Sequence, residues 1–249
     1  YEAVLTHGYV VDAEGKKMSK SLGNIVAPGE VIEKFGAEIL RLWVSASDYR
    51  DDVRISDKFL KQLTDAYRRI RNTCRFILGN LYDFDPSTDA VAFDEMPGID
   101  RFALHTLQEL VRRCRKAYEE YEFHVIYHAL HNYCALDLSA FYLDVLKDRL
   151  YTSPPKSTDR RSAQTVMAII LERIVRIMAP ILSFTAEEVW QHMPSTNQRE
   201  ESVHMADLPE VEQKWHDPSL AESWNRLLKA RGEVTKAIEA ARAEKRIGH

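Results

Sequence analysis

Three cysteines are all that this 249-residue chain contains, and their placement excludes more than their number does. Cys74, Cys114 and Cys134 lie far apart and include no CxxC pair, so neither a disulfide framework nor a cysteine-based zinc site is expected. Each falls at an apolar position of a helical pattern, where a buried reduced thiol is the natural reading, and a reducing cytoplasmic setting fits. No run of 18 apolar residues is present, which argues against a membrane-spanning helix. The first residues carry no basic region of the kind that opens a signal peptide. An initiator Met is also missing, and residues 3–11 read as a strand already under way, so the chain is expected to be a piece of a longer protein. There is no GxSxG, no P-loop and no GxGxxG, and the carboxylate pair Asp51-Asp52 lies in a loop without a matching partner.

What is present suits a soluble globular protein with one large or two modest domains: 45% hydrophobic and 29% charged residues. The net charge of −4 argues against indiscriminate binding to nucleic acid. The charge is unevenly spread, however. Residues 1–82 hold 13 Lys/Arg against 11 Asp/Glu, whereas residues 83–249 hold 21 against 27. Any RNA contact therefore depends on local basic patches.

Along the chain, a strand over 5–11 is expected to turn through Asp12-Ala13-Glu14-Gly15. Pro28-Gly29 marks a turn before a helical stretch over 30–35 that stops at Gly36. The near-continuous apolar residues of 37–46 predict a buried helix, and the charge-alternating segment 48–54 an extended connector. From Ser56 or Asp57 as cap, Phe59, Leu60, Leu63, Tyr67, Ile70, Cys74, Ile77, Leu78 and Leu81 trace one helical stripe. Residues 83–98, with their acids, Pro86, Pro97 and Gly98, read as the clearest linker. Helices are then expected from an Asp100 cap to about 121, over 123–149, and over 159–179 up to Pro180. A capping box Thr185-Ala186-Glu187-Glu188 would start a short helix to 193. Residues 194–216 read as loop with one extended stretch. Asp217-Pro218 then launches a helix to about 245 with the stripe Leu220, Trp224, Leu227, Leu228, Val234 and Ile238. The fold class is mainly α: a small α/β region feeding an antiparallel helix bundle. The division is 1–56, a connecting helix and linker over 57–97, and the bundle over 98–249.

The run Lys17-Met18-Ser19-Lys20-Ser21, bracketed by Gly15 and Gly23, carries the most chemistry. Two ammonium groups can neutralise charge that builds on transferring phosphates, and two hydroxyls can donate to phosphate oxygens. The glycines let such a loop turn and swing. Elsewhere, His124, His128 and His131 share one helix face, yet no acidic ligand completes the set, so they read as packing histidines and no metal site is expected. Arg68, Arg71 and Arg75 share a face of the connecting helix, and Lys156, Arg160 and Arg161 follow the Pro154-Pro155 loop. Each group reads either as a solvated helix face or as a ridge that tracks RNA phosphates. Arg112, Arg113, Arg115 and Lys116 are offset by Glu109, Glu119 and Glu120.

The five-residue run resembles the KMSKS signature of class I aminoacyl-tRNA synthetases. Around it, Leu5-Thr6-His7-Gly8-Tyr9-Val10-Val11-Asp12, Leu22-Gly23-Asn24 and Gly36-Ala37-Glu38-Ile39-Leu40-Arg41-Leu42-Trp43-Val44 look like the end of that family's catalytic domain. The stretch Tyr49-Arg50-Asp51-Asp52-Val53 is similar to the isoleucyl members, as is the string from Tyr121 through Asp144-Val145-Leu146-Lys147-Asp148-Arg149-Leu150-Tyr151 in the anticodon-binding bundle. The resemblance covers essentially the whole chain. It implies activation of isoleucine by ATP, with Mg2+, and transfer to tRNA-Ile. Lys17 and Lys20 would stabilise the pyrophosphate leaving group, with Lys20 the nearer to ATP. Met18, Ser19 and Ser21 would complete the ATP-contacting loop, and closure only in the transition state would raise turnover. The family's HIGH motif, its nucleotide-binding core with the isoleucine pocket, its editing insertion and its cysteine-rich tail are not in this sequence. The isolated chain is therefore expected to be inactive. Two other readings fit the same layout: a valyl member, or a non-catalytic helical tRNA-binding module.

Overall fold

A computed structural model describes residues 1, 3–194 and 199–248. Nine α-helices dominate the described residues: α1 (Pro28–Phe35), α2 (Ala37–Ala46), α3 (Asp57–Asn80), α4 (Gly98–Glu119), α5 (Phe123–Asn132), α6 (Leu143–Thr152), α7 (Thr158–Met178), α8 (Ser183–His192) and α9 (Pro218–Ala243). The only sheet among them pairs β1 (Val10–Val11) with β2 (Val53–Arg54) in parallel, Val10 opposite Val53. The expected strand over 5–11 thus shrinks to two residues, because only that length finds a partner. That partner comes from the supposed connector. None of the helices is long and apolar enough to cross a membrane.

α3 follows its sequence closely. Ser56 accepts the Phe59 N–H at 3.2 Å, and Leu60, Leu63, Ile70, Cys74 and Ile77 are buried on one stripe. α7 lies at the centre of the bundle. Its buried residues run almost continuously from Arg160 to Met167 and again from Ile170 to Met178, so it contacts neighbours on nearly every side. Each fully buried Leu or Ile there contributes roughly 1.5–3 kcal/mol relative to exposure.

Five sequence expectations change for physical reasons. The helix over 123–149 is interrupted by a π-helical stretch, Tyr133–Tyr142. Its wider turn suits residues four apart, and Cys134, Leu138 and Tyr142 line up in the core at that interval. Asp100 does not cap α4. Pro97 precedes the first turn, and Asp100 is fully buried inside it. There it accepts Arg149 Nη1 at 2.9 Å and Nη2 at 2.7 Å, the Tyr142 hydroxyl at 2.9 Å, and the Ser162 hydroxyl. The expected capping box at Thr185 does not form either. α8 begins earlier, at Ser183, and its free N–H groups are taken by a carboxylate from another helix, as described below. Residues 83–98 are stapled to the bundle, with Phe84 and Met96 buried and the Val91 N–H donating to Thr165 Oγ1 at 3.1 Å. Finally, of the α9 stripe only Leu220, Trp224 and Leu228 are half-buried, and Leu227 is exposed. Val234 and Ile238 are exposed. Of the expected loop at 194–216, residues 195–198 lie outside the described residues. The remainder holds two short 3-10 turns, Val203–Met205 and Gln213–Trp215.

The first 56 residues are joined to the bundle chiefly through α2. Glu38 accepts the backbone N–H groups of Phe184 (2.9 Å) and Thr185 (3.1 Å) and bonds the Thr185 hydroxyl, so it caps α8 in trans. One turn on, Arg41 donates to the carbonyls of Ile181 (2.8 Å) and Pro180 (2.6 Å), just past the end of α7. A single helix thus satisfies both sides of the α7–α8 turn with the sign of charge that each helix end favours.

Candidate functional site

The Lys17–Ser21 segment is built on a backbone held at two places. Upstream, the Gly8 N–H donates to the Tyr49 carbonyl at 2.8 Å, and the Tyr9 N–H to Asp52 Oδ1 at 2.8 Å. A Cβ on Gly8 would lie 2.3 Å from the Asp51 carbonyl oxygen, so only glycine fits that approach. Downstream, Asp12 organises the turn. Its Oδ1 accepts the N–H groups of Glu14 (3.1 Å) and Lys16 (2.7 Å), and its Oδ2 accepts Asn24 Nδ2 at 2.8 Å. The Asn24 bond, followed by the Lys16 N–H, holds the Asp12 carboxyl below the usual carboxylate range. Asn24 closes the ring, since its Oδ1 accepts the Ser19 N–H at 2.9 Å. Gly15 takes φ +80° in this turn.

Inside that frame Ser19 caps a single 3-10 turn, Lys20–Leu22, which ends on Gly23 at φ +66°. Ser19 Oγ and Ser21 Oγ are 3.1 Å apart. Met18 is half-buried against the core and anchors the loop, while Lys17 and Lys20 are exposed. Neither lysine forms an ion pair among the described residues, although Lys17 Nζ lies 5.8 Å from the centre of the Tyr9 ring. Two uncompensated cations and two hydroxyls thus stand together on a pinned turn, groups whose chemistry can neutralise and hydrogen-bond phosphate oxygens. The signal for Asp12 and Asn24 was present in the sequence, but nothing in the spacing shows that one carboxylate and one amide hold both ends.

The basic residues of the bundle divide into two kinds. Arg68, Arg71 and Arg75 are exposed on α3, with Arg68 paired to Asp65 at 3.2 Å. Lys156 is exposed and lies 3.1 Å from Asp89. Arg160 and Arg161, by contrast, are buried. Arg160 pairs with Asp83 at 3.1 Å, and Arg161 with Asp83 at 3.5 Å and Asp89 at 3.3 Å. These two arginines fasten residues 83–98 to α7 and do not extend the surface patch that the sequence suggested. Just past the end of α3, Tyr82 is 80% exposed, and no periodic signal in the sequence marks it.

Among the described residues, the histidines of α5 form no ion pair or metal-type cluster with a carboxylate. A different trio does converge: His105, Glu109 and His216, whose ligand atoms lie within 4.8 Å of one another. All three already have hydrogen-bonding roles. His105 Nδ1 accepts the Asp217 N–H at 2.9 Å, while Glu109 bonds Arg112 and lies 3.0 Å from His216 Nε2. The His105 and His216 rings stack with centres 4.9 Å apart. Burial, reinforced by His216, pushes the His105 pKa down. The trio thus serves to dock the start of α9 onto α4.

Comparison with known proteins matches two stretches of the chain, with residues 57–99 between them. Residues 100–249 match the anticodon-binding domain of tRNA ligases, and residues 1–56 match the class I tRNA synthetases of the I, L, M and V type. Similar curated proteins include the isoleucine–tRNA ligases of Geobacter sulfurreducens (58% identical over 249 residues) and Syntrophotalea carbinolica (60% over 249). Each is matched over 100% of this chain and 27% of its own length, so the chain spans about a quarter of these relatives. Among solved structures, the LeuRS from Agrobacterium radiobacter K84, in a ternary complex with tRNA and LeuAMS, shares the fold. The TM-score is 0.66 at 21% identity, over 85% of this chain and 24% of that one.

Proposed function

The chain belongs to the class I tRNA ligases that carry this anticodon-binding domain, and from that premise we propose that it is the segment of an isoleucine–tRNA ligase running from the ATP-contacting loop through the tRNA-binding bundle. The observation that carries this reading is the pinned loop with Lys17 and Lys20 exposed and unpaired, joined through α2 to the bundle. Identities of 52–60% to isoleucine–tRNA ligases over the full chain support isoleucine as the amino acid. Residues 1–56 would close the catalytic domain, 57–97 would connect, and 98–249 would bind tRNA-Ile in the cytoplasm.

In this reading ATP, with Mg2+, is the substrate that the loop meets. Lys20 and Lys17 place positive charge against the phosphates as pyrophosphate leaves, and Ser19 and Ser21 donate hydrogen bonds to the same oxygens. Met18 holds the loop to the core. Asp12 and Asn24 position this group without touching substrate. The loop alone cannot hold adenine or isoleucine, so the chain by itself is inactive, and isoleucine-dependent ATP–pyrophosphate exchange by the pure chain would contradict this. The tRNA contacts fall to the exposed cations Arg68, Arg71, Arg75 and Lys156.

Fluorescence anisotropy with tRNA-Ile, tRNA-Val and an anticodon-swapped tRNA-Ile, at two salt concentrations, tests the binding part. Preference for tRNA-Ile that vanishes on the swap is the expected result. Absence of binding to all three would overturn the proposal.

A further inference from the structure

One groove on the bundle carries two of these exposed cations together with residues given no role so far. It lies between α3 and α8, has a volume of about 580 Å³, and is lined by Arg71, Arg75, Gly79, Tyr82, Glu188 and His192 among others. Arg71 and Arg75 are one helical turn apart, about 6 Å along the axis, and neither forms an ion pair among the described residues. Beyond them, at the end of α3, Tyr82 presents its ring to solvent. A tyrosine exposed this far forgoes the burial that usually rewards an aromatic side chain.

The ring is nevertheless held. Arg160, buried and paired with Asp83, places its guanidinium 5.9 Å from the ring centre, and its Nη2 reaches the Tyr82 hydroxyl at 3.5 Å. One side of the ring is thus braced by a planar cation, while most of its surface faces water. Two free arginines beside a braced, exposed aromatic ring match the composition of a single-strand nucleic-acid site: cations for phosphates, a platform for a base. Glu188, the one acid of the six, supplies an acceptor suited to base N–H donors.

We propose that this groove takes one unstacked nucleotide of the bound tRNA, with Tyr82 as its stacking platform and Arg71 and Arg75 on the flanking phosphates; the inference rests on the tRNA-binding reading given above. Arg160 then acts as a positioning residue, orienting the ring without touching RNA.

The test measures anisotropy of the chain with the tRNA-Ile transcript and with a blunt RNA duplex of its anticodon stem, across a salt series. Tyr82 is exposed, so its replacement leaves the core intact. Tyr82→Ala is expected to weaken tRNA binding by about 5- to 150-fold without changing the salt slope, and to leave duplex binding unaltered. Tyr82→Phe, which keeps the ring, stays near the native affinity. Arg75→Ala lowers the salt slope by about one. If Tyr82→Ala stays within about twofold of native while Arg75→Ala still loses salt dependence, the platform is refuted and the tRNA reading stands. Equal losses on tRNA and duplex, or equal losses for Ala and Phe, also refute stacking. A native chain that binds no RNA overturns both proposals.

Discussion

Replacing Asp100 by alanine should be among the most damaging single changes in the bundle. The carboxylate is completely buried and takes four donors: both terminal nitrogens of Arg149, the Tyr142 hydroxyl and the Ser162 hydroxyl. These come from three segments, so the group ties the start of α4 to the π stretch, α6 and α7. Alanine would leave the Arg149 guanidinium, 18% exposed, without its counter-charge, and two hydroxyls without an acceptor. Removing one partner of such a buried pair costs about 3–5 kcal/mol. At roughly 2–4 °C per kcal/mol for a chain of this size, Tm should fall by about 6–20 °C. Asp100→Asn keeps the shape but turns an N–H₂ toward donors, and should cost less, about 1–3 kcal/mol. Urea titration followed by circular dichroism at 222 nm gives both numbers. The double change Asp100→Leu/Arg149→Met, which removes the charges together, should be milder than the sum of the single changes. A loss below about 1 kcal/mol for Asp100→Ala, the lower edge for stranding even one buried polar group, would refute this account of the hub.

Glu38→Ala should destabilise by about 1–3 kcal/mol through the lost cap on α8, and the Phe184 and Thr185 amides should exchange faster. Unchanged exchange at those two positions would count against the trans-cap. Protonation of His105 should loosen the start of α9. The group faces His216, Glu109, Asp217 and Arg112, its pKa is lowered chiefly by burial, and its neutral ring accepts the Asp217 N–H. Its contribution is fully present above the unfolded value of about 6.5 and declines as pH falls from there through the lowered folded value. Hydrogen exchange at Leu220 and Ala221 between pH 7.5 and 5.5 should reveal this, and His105→Gln should flatten it. Gly8→Ala would press a methyl into the Asp51 carbonyl, displacing residues 49–55 and the lysine loop with them. A melting temperature equal to the native one would contradict that packing.

Helix positions were legible where one side of the helix is buried. α2 matches its expected bounds to the residue, and α3 follows its stripe from Leu60 to Ile77, because the core repeats at the helical period. What escaped are features set by partners distant in sequence. Glu38 looks like an ordinary first-turn acid until α8, some 146 residues on, is seen to start on it. Arg160 and Arg161 look like a basic patch until Asp83 and Asp89 fold over them. The lysine loop was the reverse case. Its residues announce their chemistry, but the Asp12–Asn24 bond that holds both ends gives no periodic signal. The lower half of the α9 stripe promised burial that the described residues do not supply, since an amphipathic pattern states a preference and not a partner.

The hold of α2 on the α7–α8 turn makes the chain a gauge of fixed length between its lysine loop and its bundle. Glu38 and Arg41 reach opposite sides of that turn only because they lie three residues apart on one helix. One residue inserted before them would rotate both by about 100°, detaching the two contacts at once. Variation in length within this family should therefore avoid the stretch between Gly36 and Ser47 and collect in segments that span no such distance. A substitution that loosens the grip would act less on the affinity of either end than on the agreement between them.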